Sequence, residues 1–144
     1  MTVRVEAEPF DLALELATFG QGAGAIVTFT GLVRDLPEGG LVYMEVEHYP
    51  AMTTQALEAI EAEARTRWPL SDCLIIHRFG RLVPGAQIMM VATAAPHRQA
   101  AFQAAEFLMD YLKSRAPFWK KEVTASGENW VESAIKDEDA LKRW

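Results

Sequence analysis

Hydrophobic and polar positions divide the chain into short alternating segments and two long periodic ones. Thr2 to Val5 reads as a short strand, and Pro9 to Thr18 as a short helix closed near Gly20. Gly24 to Val33 is rich in β-branched and aromatic residues and predicts a strand. Val42, Met44, Val46 and His48 alternate with Tyr43, Glu45, Glu47 and Tyr49, the period of a half-buried strand. The polar stretch from Asp35 to Gly40 between them has the composition of a hairpin loop. Thr53 to Arg67 predicts a helix with Leu57, Ile60, Ala64 and Trp68 on one face and Glu58, Glu61, Glu63 and Arg65 on the others. Trp68-Pro69 ends it.

Cys73 to Phe79 and Gln87 to Ala95 are apolar strands joined through Val83-Pro84-Gly85, a second hairpin signal. Pro96 to Arg115 predicts the second long helix, with Phe102, Ala105, Met109 and Leu112 facing inward and Pro117 closing it. Phe118 to Thr124 and Trp130 to Ile135 read as late strands around Ser126 to Asn129, and Lys136 to Trp144 as a polar tail helix. Helices and hairpins without regular βαβ alternation indicate an α+β fold. At 144 residues the chain is the size of one domain, residues 1–144, with enough surface to bury for a core of its own.

Composition adds exclusions. Half the residues are hydrophobic and 24% charged, as in an ordinary soluble globular protein. One cysteine, Cys73, excludes an internal disulfide and any multi-cysteine zinc site. Met1 to Glu6 shows no basic stretch leading into an apolar one, and no apolar run reaches the ~20 residues of a membrane helix. The expectation is a cytoplasmic protein. A net charge of −6 argues against nucleic acid as a partner. The charge is uneven, however: residues 1–64 carry eleven acidic and two basic side chains, whereas residues 65–121 carry nine basic and three acidic. A basic middle in an acidic chain suggests a local anion pocket.

Several candidate chemistries fail on spacing. The run Gly20-Gln-Gly-Ala-Gly24 leads into a strand, whereas phosphate-cradling glycine loops follow a strand and open a helix. His48, His77 and His97 are too far apart in sequence to set two metal ligands on one helix face, so neither a metal nor another cofactor is expected. Cys73 opens an apolar strand, where a thiol behaves as a small hydrophobe. Two features remain. At Pro96-His97-Arg98 a helix begins without a side-chain cap, so free backbone amides stand beside an imidazole and a guanidinium, the ingredients of an anion site. In the second, Lys113 and Lys120 flank Pro117 and the aromatic pair Phe118-Trp119, which could wall a pocket into which the lysines point. Crowded, partly desolvated lysines lose protons easily and serve as acid, base or Schiff-base nucleophile. Cations at a helix C-terminus are also ordinary dipole partners. Arg34, at the end of its strand, is either surface decoration or a phosphate clamp.

Six segments together resemble one family. Gly24-Ala-Ile-Val-Thr-Phe-Thr-Gly-Leu-Val-Arg34, Glu47-His-Tyr-Pro-Ala-Met52, Ile76-His-Arg-Phe-Gly80, Ala95-Pro-His-Arg98, Asp110-Tyr-Leu-Lys-Ser-Arg-Ala-Pro-Phe-Trp-Lys-Lys-Glu122 and Gly127-Glu-Asn-Trp130 are similar to the catalytic (large) subunit of molybdopterin synthase. The resemblance implies an α/β hammerhead-type fold and a sulfurtransferase that converts cyclic pyranopterin monophosphate (precursor Z) to molybdopterin. Sulfur would come from the thiocarboxylated C-terminal glycine of a small ubiquitin-like subunit, in a heterotetramer of a large-subunit homodimer with two small subunits. It places the catalytic lysines at Lys113 and Lys120. Substrate binding falls on Leu32, Val33 and Arg34, on His97 and Arg98, and on Lys121 and Glu122. Two other classes stay open: a non-catalytic adaptor for a ubiquitin-like tail, which would tolerate loss of both lysines, and a phosphate or pterin sensor, which would need no sulfur donor.

One consequence is geometric. Arg98 and Lys113 lie fifteen residues apart on one predicted helix, ~22 Å along its axis, roughly twice the length of a pterin monophosphate. A two-fold dimer that sets the start of one such helix beside the end of its mate would let both ends serve one substrate.

Overall fold

The computed structural model describes residues 2–132 and 135–144. One four-stranded sheet contains β1 (Thr2–Glu6), β2 (Ala25–Leu32), β4 (Asp72–Arg78) and β6 (Gln87–Ala95), in the spatial order β1-β4-β6-β2. Its β1–β4 pair is parallel and its other pairs are antiparallel. A second sheet, antiparallel throughout, contains β3 (Leu41–His48), β5 (Gly80–Leu82), β7 (Phe118–Thr124) and β8 (Gly127–Trp130), in the order β5-β3-β7-β8. The helices are α1 (Leu12–Leu16), α2 (Pro50–Arg67), α3 (Arg98–Ser114) and α4 (Ile135–Leu141).

The inner strands β4 and β6 are covered on both faces, which is why they read as continuous apolar runs rather than alternating ones. On one face Cys73, Ile75, Met89 and Val91 meet Leu57, Ile60 and Ala64 of α2 and Phe107, Leu108 and Leu112 of α3. On the other, Leu74, Ile76, Met90 and Ala92 lie under Phe10 and the α1 segment. Helix α2 opens with Pro50 in its first turn, where a missing N–H costs nothing, and ends when the Trp68 N–H bonds to the Ala64 carbonyl just before Pro69. The tail helix docks on α3: Arg143 pairs with Glu106 and Asp110, each at 2.7 Å, and the Trp144 indole donates to Asp110.

The structure departs from the sequence reading at several points. The Asp35–Gly40 segment does not close a hairpin, because β2 pairs with β6 whereas β3 pairs with β5 and β7. It crosses from one sheet to the other, shaped by the Asp35 carboxylate, which accepts the N–H groups of Leu36 (2.7 Å) and Leu41 (3.0 Å). Strands β4 and β6 do pair antiparallel, yet their connection contains β5, which leaves to join the second sheet. Phe102 is 60% exposed and not part of the inward stripe; Ala101, Ala104, Ala105, Phe107, Leu108 and Leu112 form it. Glu61, expected on the outer face of α2, is buried and pairs with Arg65 at 3.3 Å, and burial raises its carboxyl pKa. Pro96 precedes the cap residue His97 instead of opening α3. The last strand runs from Gly127 to Trp130, earlier than the expected Trp130–Ile135, of which residues 133 and 134 lie outside the described residues. Among the described residues no helix is long and apolar enough to cross a membrane.

Candidate active site

The end of α3, the end of β2 and one face of β7 meet around a cleft of about 980 Å³. Lys113 reaches it from the last turn of α3, and Arg34 from the residues that follow β2. The end of β2 is fixed by its neighbour turn: the Val33 N–H donates to the Ala86 carbonyl and the Gly85 N–H to the Val33 carbonyl, both at 2.8 Å. Val33 is thereby buried, while Leu32 and Arg34 stay exposed on the cleft wall.

Strand β7 supplies the rest by alternation. Lys120 and Glu122 line the cleft, and Lys121 between them does not. Phe118 lies on the Lys120 side of the strand and stacks on the His77 ring, with centroids 3.7 Å apart and planes at 15°. Neither Phe118 nor Trp119 walls the cleft, contrary to the sequence expectation: Phe118 packs inward on the core, and Trp119 meets Tyr49 edge-on at 4.9 Å. The Lys121 ammonium instead donates to Glu128 across the β7–β8 pair at 2.7 Å and sits 5.3 Å from the Trp130 ring centre.

A smaller cavity of about 70 Å³ shares several residues with the cleft, and its polar lining side chains are Lys113, Lys120 and His77. Burial, reinforced by the Lys113 charge and opposed by Asp137, lowers the pKa of Lys120 to about 8. The same cause acts more strongly on His77, which is 3% exposed: burial pulls its pKa to about 3, with the Lys120 and His48 charges acting in the same direction. His77 is therefore neutral across the physiological range. Its Nδ1–H donates to the Arg78 carbonyl at 2.8 Å, since a carbonyl can only accept. Chemically, the site combines a lysine that exchanges a proton near neutral pH with cations suited to an anionic ligand.

The residues singled out by sequence thus divide. Leu32, Val33, Arg34, Lys113, Lys120 and Glu122 gather at the cleft. His97 and Arg98 are exposed at the far end of α3 and do not line it. The α3 start does lack a side-chain cap bond, as its composition suggested. Cys73 is fully buried, and burial pushes its thiol up to about 12, far from the thiolate a sulfur relay would need. Gly24 has a local structural reason: a Cβ there would come within 2.1 Å of the Pro96 carbonyl oxygen, so glycine lets the start of β2 pass the β6–α3 junction. Among the described residues no cluster of three or more His, Cys, Asp or Glu side chains could hold a metal ion. His77, read from sequence as an ordinary strand residue, is the addition; only the fold, by laying β4 against β7, brings it to the lysines.

The fold recurs in known proteins. The family model described as "MoaE protein" matches residues 5–115. The chain belongs to this family. It is 65% identical to the molybdopterin synthase catalytic subunit of Cereibacter sphaeroides, with all of both chains covered. Among solved structures, the molybdopterin biosynthesis MoaE protein of Burkholderia ambifaria is 52% identical and superposes with a TM-score of 0.85, covering 99% of this chain and 97% of that one. The molybdopterin synthase of Staphylococcus aureus is 32% identical with a TM-score of 0.82, covering 89% and 95%.

Proposed function

We propose that this chain is the catalytic subunit of a molybdopterin synthase. It converts cyclic pyranopterin monophosphate to molybdopterin with sulfur from the thiocarboxylated C-terminal glycine of a small ubiquitin-like subunit. The observation that carries this reading is the meeting of Lys113, Lys120 and Arg34 on one cleft, with Lys120 titrating near neutral pH. The substrate is an anion, and the guanidinium of Arg34 and the ammonium of Lys113 are suited to its phosphate. Lys120 is the group able to accept or return a proton as each C–S bond replaces a C–O bond. Residues 1–144 act as one domain, in the cytoplasm.

The active site in this reading is completed by a second copy. Strand β2 closes one edge of its sheet and leaves Ile26, Phe29 and Leu32 exposed there, beside the exposed Phe102 of α3. The Ala25 end of β2 pairs with Ala95, next to the start of α3, and its Leu32 end adjoins the cleft. Two copies facing antiparallel along this edge would set His97 and Arg98 of each near the cleft of the other, in a homodimer that carries two small subunits.

The test is reconstitution. Purified chain, thiocarboxylated small subunit and cyclic pyranopterin monophosphate should yield a dithiolene-bearing pterin, and omission of the thiocarboxylate should abolish it. Absence of product with a partner and substrate shown competent with another synthase would contradict the reading.

A further inference from the structure

We propose that His77 is a positioning residue of the lysine site: it presents a ring-nitrogen acceptor to the small cavity it shares with Lys113 and Lys120, and by stacking on Phe118 it keeps Lys120 facing that cavity. The proposal rests on the reading that these lysines perform the chemistry.

Three observations support it. First, the ring ties the two sheets together at the site. His77 belongs to β4 of the first sheet and Phe118 to β7 of the second, two residues before Lys120 on the same side of the strand. The stack therefore fixes the rotation of β7 where Lys120 leaves it. Second, His77 lines the cavity with two cationic side chains, and among the described lining residues, methionine sulfurs aside, its imidazole is the side chain able to offer an acceptor, through its second ring nitrogen. With Nδ1–H committed to the Arg78 carbonyl, that nitrogen carries a lone pair. A cavity of about 70 Å³ has room for a water, and three polar walls match the two to four partners a buried water needs. Third, the ring cannot become a competing cation. Burial and the Lys120 charge hold its pKa to about 3, so it stays an acceptor at every pH at which a lysine could work.

Among the described residues, the other charged or titratable groups around Lys120 are Lys113 from α3 and Asp137 from α4, with His48 of β3 near His77. Arg34, Glu122 and Lys136 lie on the wider cleft. None of these is a neutral acceptor in the small cavity. An acceptor favours the ammonium form, so removing it should make Lys120 lose its proton more readily.

The experiment is a titration of Lys120 by NMR, with lysine carrying a ¹³C label at Cε and the signal assigned by its loss in Lys120→Arg. His77→Phe keeps a ring for the stack and removes the acceptor; His77→Gln restores an amide acceptor and donor. In His77→Phe the Lys120 proton should be held about tenfold less tightly than in the unsubstituted chain, and in His77→Gln by less than about threefold. If His77→Phe fails to fold, His77→Leu carries the same expectation. A folded Phe or Leu variant with an unshifted Lys120 titration overturns the proposal, as does a Gln variant shifted as far as they are. Failure of both apolar variants to fold while His77→Gln folds with a shifted Lys120 would also overturn it, because the ring would then serve stability alone. This readout needs no turnover, so an inactive chain would count against the proposed function without touching the role of His77.

Discussion

Lys120 and Lys121 are chain neighbours on one strand, yet their surroundings push them in opposite directions. Lys120 faces the cleft beside Lys113, and burial brings its pKa down to about 8. Lys121 faces the other side, where its hydrogen bond to Glu128 holds its pKa above the ordinary lysine value. A strand reverses its side chains at each residue, so a shift of one position exchanges a proton-exchanging lysine for a surface ion pair. The contrast teaches that residue type and local sequence do not make a reactive lysine. What makes it is the layer into which the strand turns it.

The largest expected effect breaks this contrast directly. Lys120→Ala should lower molybdopterin formation ~10²–10⁴-fold, the usual contribution of a positioned acid or base, whereas Lys121→Ala should stay within about threefold. Rates from the reconstituted reaction at saturating substrate check both. Equal losses in the two variants would end the distinction between the faces. Lys113→Ala should also lose ~10²-fold or more, and Lys120→Arg should not restore activity, because a guanidinium stays protonated near neutral pH.

A second effect concerns the two ends of α3. Mixing inactive Lys113→Ala chains with inactive Arg98→Ala chains under subunit exchange should restore one intact site in each mixed dimer. Recovery toward about half the activity per mixed dimer is expected if the site spans two copies. No recovery after exchange verified by mass spectrometry would place each site within one chain.

The smallest effect is on stability. Lys120 has a lowered pKa in the folded chain, so between about 8 and the unfolded lysine value the unfolded state binds more protons. Stability contributed by this residue therefore rises with pH across that window, and below it a protonated Lys120 is a net cost to folding. Lys120→Met, which retains the apolar stem, should raise unfolding free energy at pH 7 by about 1 kcal/mol, discounted for partial exposure. The advantage should shrink at pH 10, and denaturant titrations at the two pH values measure the difference. Cys73→Ala, folded, should still make product, because a fully buried thiol has no access to the cleft.

Much of this site was legible in the sequence. Lys113, Lys120 and Arg34 stood out because charged groups beside an aromatic-proline turn or at a strand end need a reason, and the uncapped start of α3 was visible in the residues around Pro96. What escaped was everything set by sheet assignment. Asp35–Gly40 has hairpin chemistry, but its flanking strands prefer partners distant in sequence, and local turn signals carry no information about those. Phe118 and Trp119 looked like equivalent walls; strand alternation gave one to the core and the other to Tyr49. His77 lay hidden because a buried histidine in an apolar strand has an ordinary structural explanation until its neighbours across the sheets are known. Phe102 was misplaced by about one residue of helical phase, enough to rotate it by roughly 100° out of the core.

The most direct measurement of the central claim is a ¹³C titration of both neighbouring lysines in one sample of the unsubstituted chain, each assigned by its own substitution. The account predicts that Lys120 loses its proton near pH 8 while Lys121 remains protonated beyond the ordinary lysine range. Two lysines titrating together at the ordinary value would contradict it, for Lys120 would then give up its proton no more readily than its surface-paired neighbour.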